Sequence, residues 1–127
     1  MPASTARTRR RRHPASLTPR AKVWLEIDGR YVFGHGICEI LRAVSETGSI
    51  KEAARQLGKS YRYVWGRVRE AETALAAPLV ETRVGGAGRR RSRLTPRAES
   101  LLAGFAALRE RVIRLTDQEF SRRFGRR

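Results

Sequence analysis

One stretch decides the fold: Ser49-Ile-Lys-Glu-Ala-Ala-Arg-Gln-Leu-Gly-Lys-Ser-Tyr-Arg-Tyr-Val-Trp-Gly-Arg-Val-Arg-Glu-Ala-Glu-Thr-Ala-Leu75. It predicts two short helices joined by a tight turn. Ser49 and Glu52 form a capping box, because the hydroxyl and the carboxylate can each satisfy a free backbone amide at a helix start. Gly58 suits the left-handed residue that ends a helix. Ser60 then opens the second helix as its N-cap.

Helical spacing gives the second helix of this stretch two different faces. Its apolar stripe consists of Val64, Val68, Ala71 and Leu75. Its other face carries Tyr61, Arg62, Trp65 and Arg69. With the small residues Ala53 and Ala54 before the turn, this pattern predicts a helix-turn-helix whose second helix lies in the major groove of DNA. An ordinary helical hairpin with a solvated basic face is the alternative.

The chain is short and strongly basic. Its 127 residues allow one domain plus tails, and a hydrophobic content of 40% is enough for a modest core. The formal net charge of +16 indicates a polyanionic partner, and nucleic acid is the usual one. Arginine dominates over lysine, which favours bidentate contacts with phosphate and guanine. An arginine-rich proteome explains the choice of arginine, but not the excess of bases over acids.

The sequence argues against several other classes of protein. Cys38 is the single cysteine, so an internal disulfide is excluded, and its apolar position predicts a buried, reduced thiol. His35 has no second histidine or acidic cluster at ligand spacing, so we interpret it as structural rather than metal-binding. No nucleophile–base pair has recognisable spacing, so we predict neither an enzyme nor a bound cofactor. Without a membrane span or a secretory signal, the prediction is a cytoplasmic, nucleoid-associated protein.

The chain before the central stretch divides into a tail, a hairpin and a helix. Residues 1–20 predict a disordered basic arm, which either follows phosphates and a minor groove or only solubilises the protein. Residues 21–95 predict a winged helix-turn-helix domain, beginning with a β-hairpin that turns at Asp28-Gly29, the dipeptide of a type I′ turn. Val23, Leu25 and Ile27 point to one face of this hairpin and Trp24 and Glu26 to the other, and one of the two faces must pack on the helices that follow. The next helix presents a core-facing stripe of Ile37, Ile40, Leu41 and Val44.

A second hairpin is predicted after the central stretch. Pro78 to Val84 predicts a strand, residues 85–91 a flexible glycine-rich loop, and Ser92 to Leu94 the partner strand. A hairpin in this place is a wing, and its tip would reach the phosphate backbone or minor groove through Arg89, Arg90 and Arg91. The loop lacks the Lys-Ser/Thr pair of a nucleotide-binding loop.

Residues 96–127 predict one long helix with a basic tail. Thr95-Pro96 supplies the N-cap and the first helical residue. Apolar residues recur along this helix in steps of three and four, at Leu101, Phe105, Leu108, Val112 and Leu115. That spacing is a heptad seam and indicates dimerisation. A helix packed on its own domain is the alternative.

Taken in order, the chain resembles the N-terminal DNA-binding domain of ModE-type, molybdate-responsive transcription regulators, which are relatives of the LysR-type winged helix-turn-helix. The resemblance covers about residues 20–118. It is carried by Leu25-Glu-Ile-Asp-Gly29, Glu46-Thr-Gly-Ser-Ile50, Ala53-Ala54, Ser60-Tyr61 with Trp65, Ala77-Pro-Leu-Val-Glu81, Gly85-Gly-Ala-Gly88 and Leu94-Thr95. It implies a homodimer whose two recognition helices read a palindromic operator.

Two departures from this family affect the expected function. Arg89 to Arg91 replace glycines of the family's wing, which should raise the affinity for phosphate. The full-length family also carries a C-terminal molybdate-binding portion, whereas this sequence stops at Arg127. We therefore expect either a stand-alone version of the regulator or an excised domain, with no small-molecule effector bound by this chain.

The predicted fold class is mainly α with small β, and the predicted function is that of a sequence-specific transcriptional regulator acting as a homodimer on double-stranded DNA. The residues presented to the groove would be Ser60, Tyr61, Arg62, Trp65 and Arg69. Tyr61 and Trp65 either contact a thymine methyl or belong in part to the core. Phosphate contacts are predicted for Ser49, Lys51, Arg67, Arg89, Arg90, Arg91 and Arg93. The alternative is a non-specific nucleoid- or RNA-binding protein whose affinity comes from its tails.

Overall fold

The computed structural model describes residues 16–86 and 90–125. Lys22–Val112 form one compact unit, and residues 16–21 and 113–125 are the described part of another. Most of the predicted basic arm lies outside the described residues. In chain order the elements are β1 (Leu25–Ile27), β2 (Arg30–Phe33), α1 (His35–Thr47), α2 (Ile50–Leu57), α3 (Tyr61–Leu75), β3 (Val80–Val84), β4 (Arg90–Leu94) and α4 (Pro96–Phe124).

The first hairpin, β1–β2, has the predicted turn. Asp28 has φ 50° and Gly29 has φ 77°, as a type I′ turn requires at both central positions. On the face shared by Val23, Leu25 and Ile27, the first two are partly buried against the core, whereas Ile27 beside the turn is 41% exposed. The pairing of the two strands shifts by one residue: Leu25 pairs with Phe33 and Glu26 with Tyr31, which leaves Val32 as an extra residue.

This β-bulge changes which side chains of the hairpin reach the core. Val32 and Phe33 are consecutive, yet both are buried. In a regular strand they would point to opposite faces, and the extra residue of a bulge permits both to turn inward. A bulge depends on the pairing of two strands, so the alternation of residues in one strand could not reveal it.

Helices α1 and α2 meet at a turn that the sequence largely predicts. The expected stripe of α1 is buried, and Gly48 ends the helix with φ 71°. Ser49 caps α2, because its Oγ accepts a hydrogen bond from the Glu52 amide at 3.0 Å. The reciprocal half of the capping box is replaced, because the Ser49 amide donates to Thr47 Oγ1 at 3.3 Å. Glu52 instead pairs with Arg55 at 3.6 Å.

The predicted helix-turn-helix is confirmed in α2 and α3. Gly58 ends α2 with φ 69°, and Ser60 Oγ accepts a hydrogen bond from the Tyr63 amide at 3.0 Å at the start of α3. Ala53 and Ala54 are buried and let the two helices approach closely. The core side of α3 consists of Val64, Val68 and Ala71, with Leu75 partly buried.

The wing, β3–β4, is tied to the helix-turn-helix by hydrogen bonds from distant parts of the chain. The Ser92 amide donates to the Gly48 carbonyl at 2.9 Å, which joins β4 to the turn before α2. The Glu72 carboxylate on α3 accepts from the amides of Leu79 at 2.8 Å and Val80 at 3.2 Å. These bonds fix where the wing begins relative to α3.

Strand β4 starts at Arg90, two residues earlier than predicted, so Arg90 and Arg91 belong to a strand rather than to the loop.

Helix α4 begins as predicted and then packs on its own domain. Thr95 caps it, accepting a hydrogen bond from the Ala98 amide at 3.1 Å. Ala98 is fully buried and Phe105 is 4% exposed, with the Phe105 ring 5.6 Å from that of Phe33 in an edge-to-face contact. The assignment of Phe105 to a dimer seam is therefore wrong, because its side chain is already buried within one chain.

Residues 113–124 of α4 belong to the second unit. Glu119 accepts hydrogen bonds from Arg122 at 2.9 Å and from Arg123 at 3.0 Å. These two hydrogen bonds lower the pKa of the Glu119 carboxyl. Phe120 and Phe124 stack with their ring centroids 4.9 Å apart. These contacts hold the last two turns of the helix together.

Candidate nucleic-acid interface

The first turn of α3 presents the predicted groove residues at the surface. Ser60, Tyr61 and Arg62 are exposed, and Tyr61 is 44% exposed. Because the aligned peptide dipoles give a helix start partial positive charge, this turn favours an anionic group of the DNA backbone. The serine cap holds the turn in a fixed geometry.

An open depression lies along the exposed side of α3. It is lined by Arg62, Tyr63, Gly66, Arg67, Arg69, Glu70 and Thr73. Arg62 and Arg69 stand on either side of Gly66 along one helix face, since they are four residues before it and three after it. Three arginines against one glutamate make this surface positive, as contact with DNA requires.

Trp65 and Glu72 hold the side chain of Arg69. The Arg69 guanidinium lies 5.5 Å from the centre of the Trp65 ring, and its Nε is 3.7 Å from a Glu72 carboxylate oxygen. Trp65 itself is partly buried and packs against the core. The structure thus supports the interpretation of Trp65 as a core residue in part. Its exposed portion supports the position of Arg69.

A cationic cluster around Tyr63 escaped the sequence analysis. Lys59 Nζ lies 5.3 Å from the centre of the Tyr63 ring, and the Arg67 guanidinium lies 5.9 Å from it. Arg67 Nη1 also donates a hydrogen bond to Tyr63 Oη at 3.1 Å. The i, i+4 spacing of Tyr63 and Arg67 within α3 was the available signal for that pair, whereas Lys59 lies in the turn before the cap Ser60. Arg67 is only 27% exposed and pairs with Glu70 at 3.7 Å, so much of its hydrogen-bonding capacity is already used.

The two strands of the wing place like charges opposite each other. Arg83 and Arg91 are cross-strand partners in β3–β4. One step along the same face, Arg93 Nε lies 3.4 Å from a Glu81 carboxylate oxygen. Charge on Arg93 is therefore compensated within the wing, whereas like charges directly opposite each other are destabilising. Arg83 was absent from the predicted interface.

Four more residues were predicted to contact phosphate, and their positions differ. Arg90 is exposed and pairs with Val84 across the wing, and Arg89 lies outside the described residues. Lys51 is exposed in the first turn of α2. The Ser49 hydroxyl serves as a helix cap.

Cys38 and His35, which were considered above for reactivity and for metal binding, have structural roles. Cys38 is buried, and desolvation raises the pKa of its thiol to about 11. His35 Nε2 lies 3.3 Å from a Glu39 carboxylate oxygen, one helical turn away on the surface of α1. Within residues 16–86 and 90–125, no three side chains of His, Cys, Asp or Glu gather as a metal site. No helix in that part of the chain is both long and apolar enough to cross a membrane.

The sequence of the helix-turn-helix region and the wing matches a known family. Residues 38–99 match the family described as bacterial regulatory helix-turn-helix protein, lysR family. Over this stretch, just under half of the chain, the sequence is similar to a LysR-type helix-turn-helix domain. The match runs from α1 to the first turn of α4, and therefore includes α3 and both strands of the wing.

Two curated relatives of this chain are named for molybdenum. Over 76 residues the chain is 40% identical to the molybdenum-pterin-binding protein MopB of Rhodobacter capsulatus, covering 60% of this chain and 28% of that protein. Over 72 residues it is 40% identical to the molybdenum transport protein ModE of Herbaspirillum seropedicae, covering 57% and 27%. The resemblance to ModE-type proteins is confirmed. The chain spans little more than a quarter of the length of these relatives.

Solved structures of DNA-binding domains share the fold of this chain. The CbnR DBD–DNA complex aligns with a TM-score of 0.53 and 22% identity, covering 68% of this chain and 93% of that one. The BenM DBD complex with benA site 1 DNA aligns with a TM-score of 0.52 and 20% identity, covering 72% and 97%. The predicted mainly helical winged helix-turn-helix is thereby confirmed.

Proposed function

We propose that this chain is a sequence-specific DNA-binding transcription regulator that acts as a homodimer on a palindromic operator. The observation that carries the proposal is the exposed side of α3, where Arg62 and Arg69 flank a depression on the second helix of a helix-turn-helix. That helix enters the major groove in this class of motif. Arginine can bind a guanine edge through two hydrogen bonds, so each of the two side chains can read one base pair.

The wing supplies contacts with the phosphate backbone in this proposal. Arg83 and Arg91 are cross-strand partners in β3–β4, and Arg90 precedes Arg91 and points to the other face of the hairpin; all three are exposed. A phosphate placed between Arg83 and Arg91 would relieve their mutual repulsion. Contacts of this kind orient the protein on the duplex without reading sequence. Lys51 and the helix start at Ser60 are proposed for the same role.

Dimerisation is proposed through the apolar residues of α4 that its own domain leaves accessible. Leu108 is 42% exposed and Leu115 is 44% exposed, seven residues apart in the sequence. Leu101 and Val112 are partly buried and complete the proposed seam. A two-fold interface pairs one surface patch with its own copy, so one short apolar seam can serve both protomers.

Selection of bound duplexes from a random library tests the proposal. The full chain should enrich a consensus of two inverted half-sites, with their centres about 34 Å apart or at a multiple of that distance. Enrichment of no consensus would overturn sequence-specific binding. A single half-site would overturn the dimer and leave specific binding in place.

The names of the relatives make molybdate the effector to test. We propose that this chain alone binds no small-molecule effector, since a buried oxyanion requires several convergent hydrogen-bond donors and the arginines of α3 lie on an open surface. Selection with and without molybdate should give the same consensus, and titration with molybdate should release no heat. Micromolar binding of molybdate by the chain would contradict this part of the proposal.

A non-specific nucleoid- or RNA-binding protein is the second candidate, favoured by the net charge of +16. The two candidates differ in which arginines matter. For the regulator, Arg62→Ala with Arg69→Ala should abolish the preference for the consensus. For the second candidate, affinity should survive these changes and collapse when residues 1–20 are removed.

Arg62 is the residue on which the regulator is tested most directly. Arg62→Ala should weaken binding to the consensus by roughly 1–3 kcal/mol and relax base preference at one position of each half-site. Arg42→Ala, at an exposed position of α1, removes the same charge and serves as the control. Equal weakening on consensus and random duplexes would show that Arg62 contacts only phosphate.

A further inference from the structure

Gly66 occupies the middle of the exposed side of α3 without a structural reason within the chain. A Cβ added there would meet nothing within 4 Å. The residue lies inside a regular helix of 15 residues, where glycine is less favourable than alanine. Neither packing within the chain nor a left-handed backbone therefore explains the glycine.

The surroundings of Gly66 point to a partner outside the chain. Arg62 and Arg69 lie on either side of it along the helix, and Tyr63, Arg67, Glu70 and Thr73 complete the depression. The bare backbone makes the floor of this depression. The amide of an interior helical residue is bonded within the helix, so the floor offers no free donor to a base. A group that fits it closely must therefore be small and apolar.

We propose that Gly66 determines specificity by admitting the 5-methyl group of one thymine between Arg62 and Arg69. This methyl is the apolar group that a base edge presents in the major groove. The inference rests on the proposed function, since it assumes that α3 lies in that groove. A side chain at position 66 would hold the helix away from the base edges and would also displace the two arginines from their guanines.

Replacement of thymine by deoxyuridine removes only this methyl group and therefore tests the proposal. Each thymine of the selected consensus is replaced in turn, and the dissociation constants of the wild type and of Gly66→Ala are measured by fluorescence anisotropy. The wild type should lose about fourfold in affinity at one position of each half-site, which corresponds to one buried methyl group at about 0.8 kcal/mol. Gly66→Ala should bind the thymine consensus at least tenfold more weakly and should prefer deoxyuridine at that same position.

Gly104→Ala is the matched control. Gly104 is also exposed inside a helix, and an added Cβ there meets nothing within 4 Å. It lies on α4, outside the depression, so the ratio of thymine to deoxyuridine affinity should equal that of the wild type at every position.

The outcomes separate this proposal from the function on which it rests. A selection without a consensus overturns both. A consensus without thymine in its half-sites overturns the methyl contact alone. The same is true if Gly66→Ala and the wild type have equal thymine-to-deoxyuridine ratios at every position.

Discussion

Gly58 and Gly66 both lie on the surface of the helix-turn-helix, and a methyl group added to either meets nothing within 4 Å. Their backbones differ. Gly58 has φ 69° and ends α2, whereas Gly66 lies inside α3. A residue with a Cβ is strained in the left-handed conformation and is favoured over glycine inside a helix. Because an added methyl group meets no neighbour at either position, the two substitutions differ in backbone conformation and not in packing.

The same substitution should change stability in opposite directions at these two glycines. Gly66→Ala should raise the free energy of unfolding by about 0.5–1 kcal/mol, and Gly58→Ala should lower it by about 1–2 kcal/mol. Urea denaturation followed by circular dichroism measures both, with the wild type as reference. A loss of stability in Gly66→Ala would mean that the helix is bent or packed at this position.

Burial governs the chemistry of Cys38. Because desolvation raises the pKa of its thiol to about 11, the thiolate is scarce at neutral pH. Ellman's reagent at pH 8 should therefore modify the folded protein far more slowly than the protein unfolded in urea. Since the raised pKa favours the protonated thiol, its contribution to stability should be lost as the pH rises from about 9 towards 11. Equal modification rates in the folded and unfolded protein would contradict the burial of Cys38.

At the scale of the element, the wing combines one compensated pair of side chains with one uncompensated pair. Arg93 is paired with Glu81 at 3.4 Å, while Arg83 stands opposite Arg91. An exposed ion pair contributes little to stability, so we interpret the charges of the wing through their effect on DNA binding. Arg83 and Arg91 are the pair for which we propose a phosphate contact.

Neutralising the uncompensated pair should weaken binding to every duplex alike. With Arg83→Gln and Arg91→Gln combined, the log–log slope of affinity against salt should decrease by about two, since each lost phosphate contact removes about 0.9. Arg93→Gln is the matched control and should change the slope less, because its charge is already paired. An unchanged slope in the double variant would show that this face of the wing does not contact DNA.

At the scale of the whole molecule, some apolar residues of α4 are buried in the core and others are exposed at the surface. Ala98 and Phe105 complete the core of the domain, whereas Leu108 remains 42% exposed. Burying a large apolar side chain contributes roughly 1.5–3 kcal/mol, so the exposed leucines favour a partner. A second copy of the chain is the partner that a palindromic operator would require.

Leu108→Glu should yield a folded monomer that has lost most of its affinity for the consensus. Its fold should survive because position 108 is already accessible to water. In the dimer, the two introduced carboxylates, one from each copy, would be buried together and would oppose association. Ala103→Glu is the control, since by helical spacing it lies on the opposite side of α4 and is exposed. Light scattering distinguishes the monomer from the dimer. A wild-type monomer at micromolar concentration would contradict the proposed dimer.

The sequence by itself determined the elements whose signals are local. The turn at Asp28-Gly29 and the helix boundaries at Gly58, Ser60 and Thr95 were predicted from single residues. Such signals suffice because a cap or a tight turn is formed by residues that are neighbours in the chain. The same holds for the basic side of α3, whose residues are brought together by helical spacing alone.

Only the tertiary structure decided which long-range partners each element has. The bulge at Val32, the burial of Phe105 against Phe33, and the pairing of Arg91 with Arg83 all join residues far apart in sequence or depend on strand register. A heptad pattern on one helix is the same whether it faces its own domain or a second copy. Phe105 was therefore assigned to the seam, although Phe33 on the first hairpin already covers it.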